Sequence, residues 1–270
     1  MKERVWIGAG IFVLLTVIPR PAFAHDTWLL PERGFVSSGT LLALDLTSGM
    51  AFPALDSAID PDRIKQAVCR LGGKSSGVVQ LVKSGHSMRL TARLDVAGIA
   101  TISVDLKPKA IELNPDQVKE YLDEIGAPES IRQAWGGASG QTLWRETYTK
   151  HSKTFVRVGE PETDRSWAEP VGTALEFVPE ENPTMLRVGD EFTVRVLKRG
   201  SPVGGFAVGI VHEGDATGIL RTTDAQGRFT IHLDRPGRWL LRGTDLRRSS
   251  TADAGWESDF TTLTIEVRPR

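Results

Sequence analysis

Along most of the chain, apolar residues recur at every second position, the period of a strand with one buried face. In TLLALDL, Leu42, Leu44 and Leu46 share a face. In SMRLTARLDVAGIATISVDL, Met88, Leu90, Ala92 and Leu94 alternate with polar residues, Ala97-Gly98 marks a turn, and Ala100, Ile102, Val104 and Leu106 resume the alternation. That pattern predicts a hairpin with one buried face. The second half repeats the theme: Phe192, Val194 and Val196, then Phe206, Val208 and Ile210, then Phe229, Ile231 and Leu233, then Leu263, Ile265 and Val267. Turn residues fall every 8–12 positions between these runs, the spacing of an antiparallel sandwich.

The period changes at NPDQVKEYLDEIGAP. Asn114 can cap a helix, Pro115 suits its first position and Gln117 completes a capping box. Val118, Tyr121, Leu122 and Ile125 then fall on one helical face, and Gly126 and Pro128 end it. A shorter helix is expected over 129–135. LWRETYTKHSKTFVRVG reads both ways: Trp144, Tyr148 and His151 would line a helix, whereas Thr154, Val156 and Val158 suit a strand. The expected architecture is mainly β, with two antiparallel β-sandwich-type domains, at 25–110 and 166–270, joined by a short helical connector at 111–165.

The first 24 residues change the picture. Lys2 and Arg4 precede a largely apolar run of 14 residues, Val5 to Ile18, and Ala22-Phe23-Ala24 is a small-x-small cleavage pattern. The run is shorter than the ~20 residues that span a bilayer, so it predicts a signal peptide cut after Ala24 and export to the periplasm, with no membrane span left behind. Cleavage leaves 30 basic and 33 acidic residues, a net charge of −3. Nucleic acid and anionic membranes need a basic footprint, so neither is expected as a partner. The single cysteine, Cys69, excludes an intramolecular disulfide and reads as a buried thiol.

No GxSxG, HExxH, CxxC, Walker or GxGxxG pattern occurs, and no carboxylate pair stands out, so no enzyme is expected. The histidines carry what chemistry there is. Cleavage after Ala24 would free the α-amine of His25, with a pKa of ~7.7–8, and amine plus imidazole close a six-membered chelate suited to Cu(II) or Ni(II). His25 would equally serve as a polar start to a strand. A second ligand would come from His212, at the end of a strand, or from His86, in the turn KSGHSM. His232 alternates with inward residues and faces out, while His151 is flanked by Lys150 and Lys153.

ALEFVPEENPTMLRVGDEFTVRVLKRGSPVGGFAVGIVHEG, TTDAQGRFTIHLDRPGRWLLRG and WESDFTTLTIEV, together with AHDTWLLP and KTFVRVG, resemble a bacterial periplasmic family. That family is catalogued as a domain of unknown function and was formerly labelled NikM-like, or the periplasmic component of cobalt/nickel transport. The resemblance implies an exported two-part β protein with an immunoglobulin- or transthyretin-like C-terminal half, and a link to transition-metal handling. His25 matches the family's histidine at the mature start. Where relatives carry a histidine after the GxWLL strand, this chain has RGTDLRRSS with Asp245, which weakens a metal site there or makes it mixed nitrogen and oxygen. Two readings follow. The first is a periplasmic protein that binds or delivers Ni, Co or Cu through His25, His212 and His86, as an accessory to a membrane transporter or another periplasmic protein. The second is a metal-free β-sandwich interaction module.

Overall fold

Nineteen strands and two α-helices make up the described part of the chain. The computed structural model describes residues 25–136, 143–160, 163–250 and 255–270. The expected signal segment, 1–24, lies outside them. In chain order the first strands are β1 Asp26–Pro31, β2 Phe35–Val36, β3 Thr40–Gly49, β4 Ser57–Ala58, β5 Ile64–Leu71, β6 Lys74–Gly77, β7 Gln80–Ser84, β8 Ser87–Leu94, β9 Gly98–Leu106 and β10 Lys109–Leu113. Helices α1 Pro115–Glu124 and α2 Glu129–Gly136 follow, then β11 Trp144–Val158. The remainder is β12 Leu175–Pro179, β13 Glu191–Lys198, β14 Ser201–Pro202, β15 Ala207–His212, β16 Ile219–Thr222, β17 Arg228–His232, β18 Gly237–Arg248 and β19 Trp256–Val267.

Three sheets form from these strands. A ten-stranded sheet runs β16-β15-β18-β19-β11-β9-β5-β6, with β10 and β2 also paired to β11. A five-stranded sheet built on β1, β3, β8 and β7 covers one end of it, and a four-stranded sheet of β12, β13, β14 and β17 covers the other. The alternating residues singled out above meet inside these two sandwiches. Leu42, Leu44, Leu46, Met88, Leu90, Ile102 and Val104 share one core, and Phe192, Val194, Val196, Phe229, Leu263 and Ile265 share the other. The fold is mainly β and sandwich-like, as the period-2 pattern requires, and Cys69 is buried in the first core.

Two local expectations need correcting. The runs Met88–Leu94 and Ala100–Leu106 do not pair as a hairpin: β8 pairs with β3 and β7, whereas β9 pairs with β5 and β11. Residues 95–97 carry the chain from one sheet to the facing one. Alternation fixes which face of a strand is buried but not which strand lies beside it, and two apolar faces can meet across a core as well as side by side. The ambiguous 144–158 stretch is a strand throughout, so the expected connector contributes both helices and then β11, a central member of the large sheet. There β11 runs parallel to β19, from Glu146 beside Trp256 to Thr154 beside Thr264, and this pairing makes one sheet of the two halves.

The helices cap that seam. Asn114 and Gln117 form the expected capping box, with Oδ1 and Oε1 each accepting from the other's backbone N–H at 3.0 and 2.9 Å. Val118, Tyr121 and Leu122 bury against Trp144, Trp256 and Phe260. The Trp144 and Trp256 rings stack at 4.2 Å across the β11–β19 pair, a contact worth ~1 kcal/mol beyond its buried area. Beneath them the buried Glu146 accepts from Tyr121 Oη at 3.0 Å, from Trp144 Nε1 at 2.8 Å and from Ser258. Burial raises its pKa, and these three donors offset part of the rise.

Candidate functional site

Because the middle of β11 is covered on both faces, its polar residues from Lys150 to Thr154 are all buried, and alternation sends them to different surroundings. Lys150 and Ser152 point toward β1, while His151 and Lys153 point toward the β12 side. Strand β1 lies across the β11–β19 seam, held by its carbonyls: Thr27 O accepts from Ser152 Oγ at 2.8 Å and from Thr262 Oγ1 at 2.5 Å, and His25 O accepts from Lys150 Nζ. Docking these carbonyls carries His25 to the mouth of a cleft of about 330 Å³.

The cleft is basic. Arg63, Lys109 and Lys150 line it, with Asp60 as its one carboxylate. Asp60 is engaged as a cap, its Oδ1 accepting from the backbone N–H of Asp62 at 3.2 Å. Among the described residues none of the three cations has an ion-pair partner, and Arg63 Nε is buried with no hydrogen-bond acceptor. Arg63 and Lys150 both lie against the Tyr148 ring, 5.5 and 5.4 Å from its centre. The hydroxyls of Ser48 and Ser57 and the apolar side chains of Ile59, Leu106 and Ile111 complete the wall. Burial lowers the Lys150 pKa to about 8; Asp26 opposes the fall, and Arg63 and Lys109 add to it. The site therefore holds a buried cation and two neighbours without a carboxylate at ion-pair distance; Asp26 and Glu124, both bound to Arg242, act on Lys150 only from further away.

On the opposite face of β11 the buried cations His151 and Lys153 both face carboxylates. His151 Nδ1 lies 2.7 Å from Asp105 Oδ1, and Nε2 lies 3.6 Å from Asp259 Oδ1. Burial pulls the His151 pKa down, but the hydrogen bonds and charges of Asp105 and Asp259 override it and raise it to about 9. Asp259 in turn meets Arg247 at 2.8 Å, and Lys153 meets Glu176 at 3.2 Å. The His151 network crosses from β9 through β11 and β19 to β18, and the separate Lys153–Glu176 pair joins β11 to β12.

The three expected metal ligands do not converge. His25 lines the basic cleft, and among the described residues its ring makes no hydrogen bond. His86 sits in the turn between β7 and β8 with Nδ1 2.8 Å from Asp56 O, outside the lining. His212 is buried in the other sandwich, with Nε2 2.8 Å from Pro236 O and its ring edge-on to Trp239. Among the described residues no group of three or more His, Cys, Asp or Glu side chains is placed to hold a metal ion. The donor set does not fit a three-nitrogen site, since the neighbours of His25 are cations rather than ligands. Lys150, Arg63, Lys109 and Tyr148 are the residues that sequence reading missed. Tyr148 and Lys150 had one signal, the polar run YTKHSK between apolar residues, and Arg63 and Lys109 had none.

No curated protein sequence matches the chain. Among solved structures, the D0–D1 domain of intimin pairs with 88% of this chain over 97% of its own length, at 12% identity and a TM-score of 0.21. The Yersinia pseudotuberculosis adhesin InvE pairs with 88% over 58% of its length, at 11% identity and 0.22. An Escherichia coli alpha-2-macroglobulin pairs with 90% over 16% of its length, at 12% identity and 0.26. The chain thus spans less than two thirds of two of these three, and overlaps this loose carry no functional argument. Among the described residues no helix is long and apolar enough to cross a membrane. The sequence match is far more extensive: residues 22–244 fit the family described as a domain of unknown function (DUF4198), and the chain belongs to that family.

Proposed function

We propose that this protein is an exported, periplasmic, non-catalytic binding module that captures a small organic anion in the cleft beside His25. One observation carries the reading: three cations, one of them buried, line the cleft beside Tyr148 with no ion-pair partner among the described residues. An unanswered buried cation is costly, and a ligand carboxylate would supply the missing partner through hydrogen bonds worth ~1.5–3 kcal/mol each. The apolar wall of Ile59, Leu106 and Ile111 favours a carboxylate attached to a carbon skeleton over a bare inorganic ion. Calorimetric titration with citrate and with phosphate tests this. Citrate should bind, and Lys150→Met and Arg63→Met should each weaken it at least about tenfold. Equal affinity in the wild type and both variants would sink the proposal.

A second reading keeps the metal link. Of the five histidines only His25 has a ring without a hydrogen bond among the described residues, so a freed amine and imidazole would be available to Ni, Co or Cu. The resembled family's former label, the periplasmic component of cobalt/nickel transport, belongs to this reading, as does delivery to a membrane transporter. It predicts tight 1:1 Cu(II) or Ni(II) binding that one extra residue before His25 abolishes, whereas citrate binding through Lys150 would survive the extension.

A further inference from the structure

Cys69, Ile102 and Val104 point into the first sandwich core, so their strand neighbours Arg70, Thr101, Ser103 and Asp105 face out of the other side of the ten-stranded sheet. On that side Arg70 lies beside Thr101, Val68 beside Ser103 and Gln66 beside Asp105, a ladder across β5 and β9. Residues 171–173, which lead into β12, stand over the ladder and enclose a groove of about 360 Å³.

The wall of this groove is fixed from two directions. Arg70 donates to the carbonyls of Ser166, Glu169 and Pro170 at 2.8, 2.6 and 2.9 Å. Glu176 accepts from the backbone N–H groups of Val171 and Gly172 at 2.9 and 3.0 Å. A site held this way has little left to order when a ligand enters.

Inside, polar groups are left over. Thr101 is 1% exposed and its hydroxyl has no hydrogen-bond partner, and Nε of Arg70, its neighbour across the strand pair, is buried without an acceptor. Unpaired groups of this kind are costly, and two on adjoining residues point to an oxygen supplied from the groove. Among the described residues the side chains of Gln66, Ser75 and Ser103 make no hydrogen bond, and Asp105 uses only Oδ1, toward His151.

Charge and polarity narrow the ligand. Asp105 is answered by His151 at 2.7 Å, and Arg70 by its three carbonyls and by Glu169 at 3.9 Å, so neither calls for a counter-ion. Among the described residues Val68 and Val171 are the only apolar side chains in the lining, and no aromatic ring is present. What remains is mostly hydroxyl and carboxamide, groups that both donate and accept. Their complement is a ligand made of hydroxyls.

We infer that this groove binds a neutral saccharide of one or two rings. Its volume lies at the small end of the range for ligand sites, which limits the length of the sugar. One ligand oxygen would accept from Arg70 Nε and Thr101, and further hydroxyls would meet Ser103, Gln66 and the free oxygen of Asp105. None of these residues belongs to the basic cleft, so either site can fail without the other.

The test is saturation-transfer NMR of the full processed protein with glucose, galactose, maltose and lactose. At least one should bind with a Kd of ~1 mM and shift the amides of 101–105 and 171–173. Thr101→Val keeps the side-chain shape and removes the unpaired hydroxyl. It should weaken binding about tenfold while leaving Tm unchanged or higher, whereas a merely structural hydroxyl would lower Tm on removal. Gln66→Ala, at an exposed position, should weaken binding about threefold and carries the test if Thr101→Val does not fold. Citrate affinity should stay unchanged in both variants. No transfer to any of the four sugars, or undiminished binding by the folded variants, would overturn the inference. Displacement of the sugar by sulfate would overturn it too, since the groove would then be an anion site of Arg70.

Discussion

Lys150 and His151 are neighbours on one strand and both are buried cations, yet they sit in opposite circumstances. His151 lies between Asp105 and Asp259, which raise its pKa to about 9. Lys150 has the carbonyl of His25 and two aromatic rings but no carboxylate at ion-pair distance, and burial, with Arg63 and Lys109 adding to it, lowers its pKa to about 8. The pleat of β11 turns one toward a finished ion network and the other toward a cleft. A buried charge whose partners are all present is architecture, and one whose partner is missing marks a place where something else binds.

Removing a partner from the finished side should have the largest effect. Asp259→Ala would leave His151 and Arg247 facing each other without their shared carboxylate, and should cost about 3–5 kcal/mol of unfolding free energy by urea titration. Citrate binding should persist at temperatures where the variant is folded. A loss below about 1 kcal/mol would mean that the network is not structural.

Lys150→Met should go the other way, stabilising the fold by about 1–3 kcal/mol at pH 7 while weakening citrate binding. The sign follows from protons. Between about pH 8 and 10.5 the unfolded lysine is charged and the folded one is not, so the unfolded state binds more protons and stability rises with pH. The penalty is thus full below pH 8 and relieved above it, and the variant's advantage should shrink toward pH 10.5. A variant less stable than the wild type at pH 7 would contradict this.

His151 imposes the reverse slope. Its folded pKa lies above the unfolded one, so its contribution is complete below about pH 6.5 and disappears as pH rises through 9. His151→Gln should flatten stability over that window, as read from Tm at several pH values. The smallest effect is expected from His86→Ala. His86 is exposed and makes one side-chain hydrogen bond, to Asp56 O, so it should cost less than about 0.5 kcal/mol and leave both citrate and Cu(II) binding unchanged.

Both sandwich cores were readable because strands such as β3 and β13 turn one apolar face to the core and leave the other more open. Leu42 to Leu46 and Phe192 to Val196 announce themselves. The capping box at Asn114 was equally local. Pairing was not: β8 and β9 carry the same alternation whether side by side or face to face. The site was least legible, because the middle of β11 is covered on both sides and its polar residues there alternate between two buried environments rather than between core and solvent. His25 was picked out by its place after the expected cleavage point, and it does line a cleft. The partners assigned to it, His86 and His212, were chosen by residue type, and each is held elsewhere by a backbone carbonyl.

The central claim is that Lys150 lacks an ion-pair partner until a ligand arrives. The direct measurement is the pKa of its side-chain amine, by heteronuclear NMR of lysine-labelled protein with and without saturating citrate. The account predicts titration near pH 8 in the free protein and a rise of at least about one unit with citrate, equivalent to a tenfold preference for the charged form, with His151 unmoved. A free value near the ordinary 10.5, or one that citrate leaves in place, would contradict it.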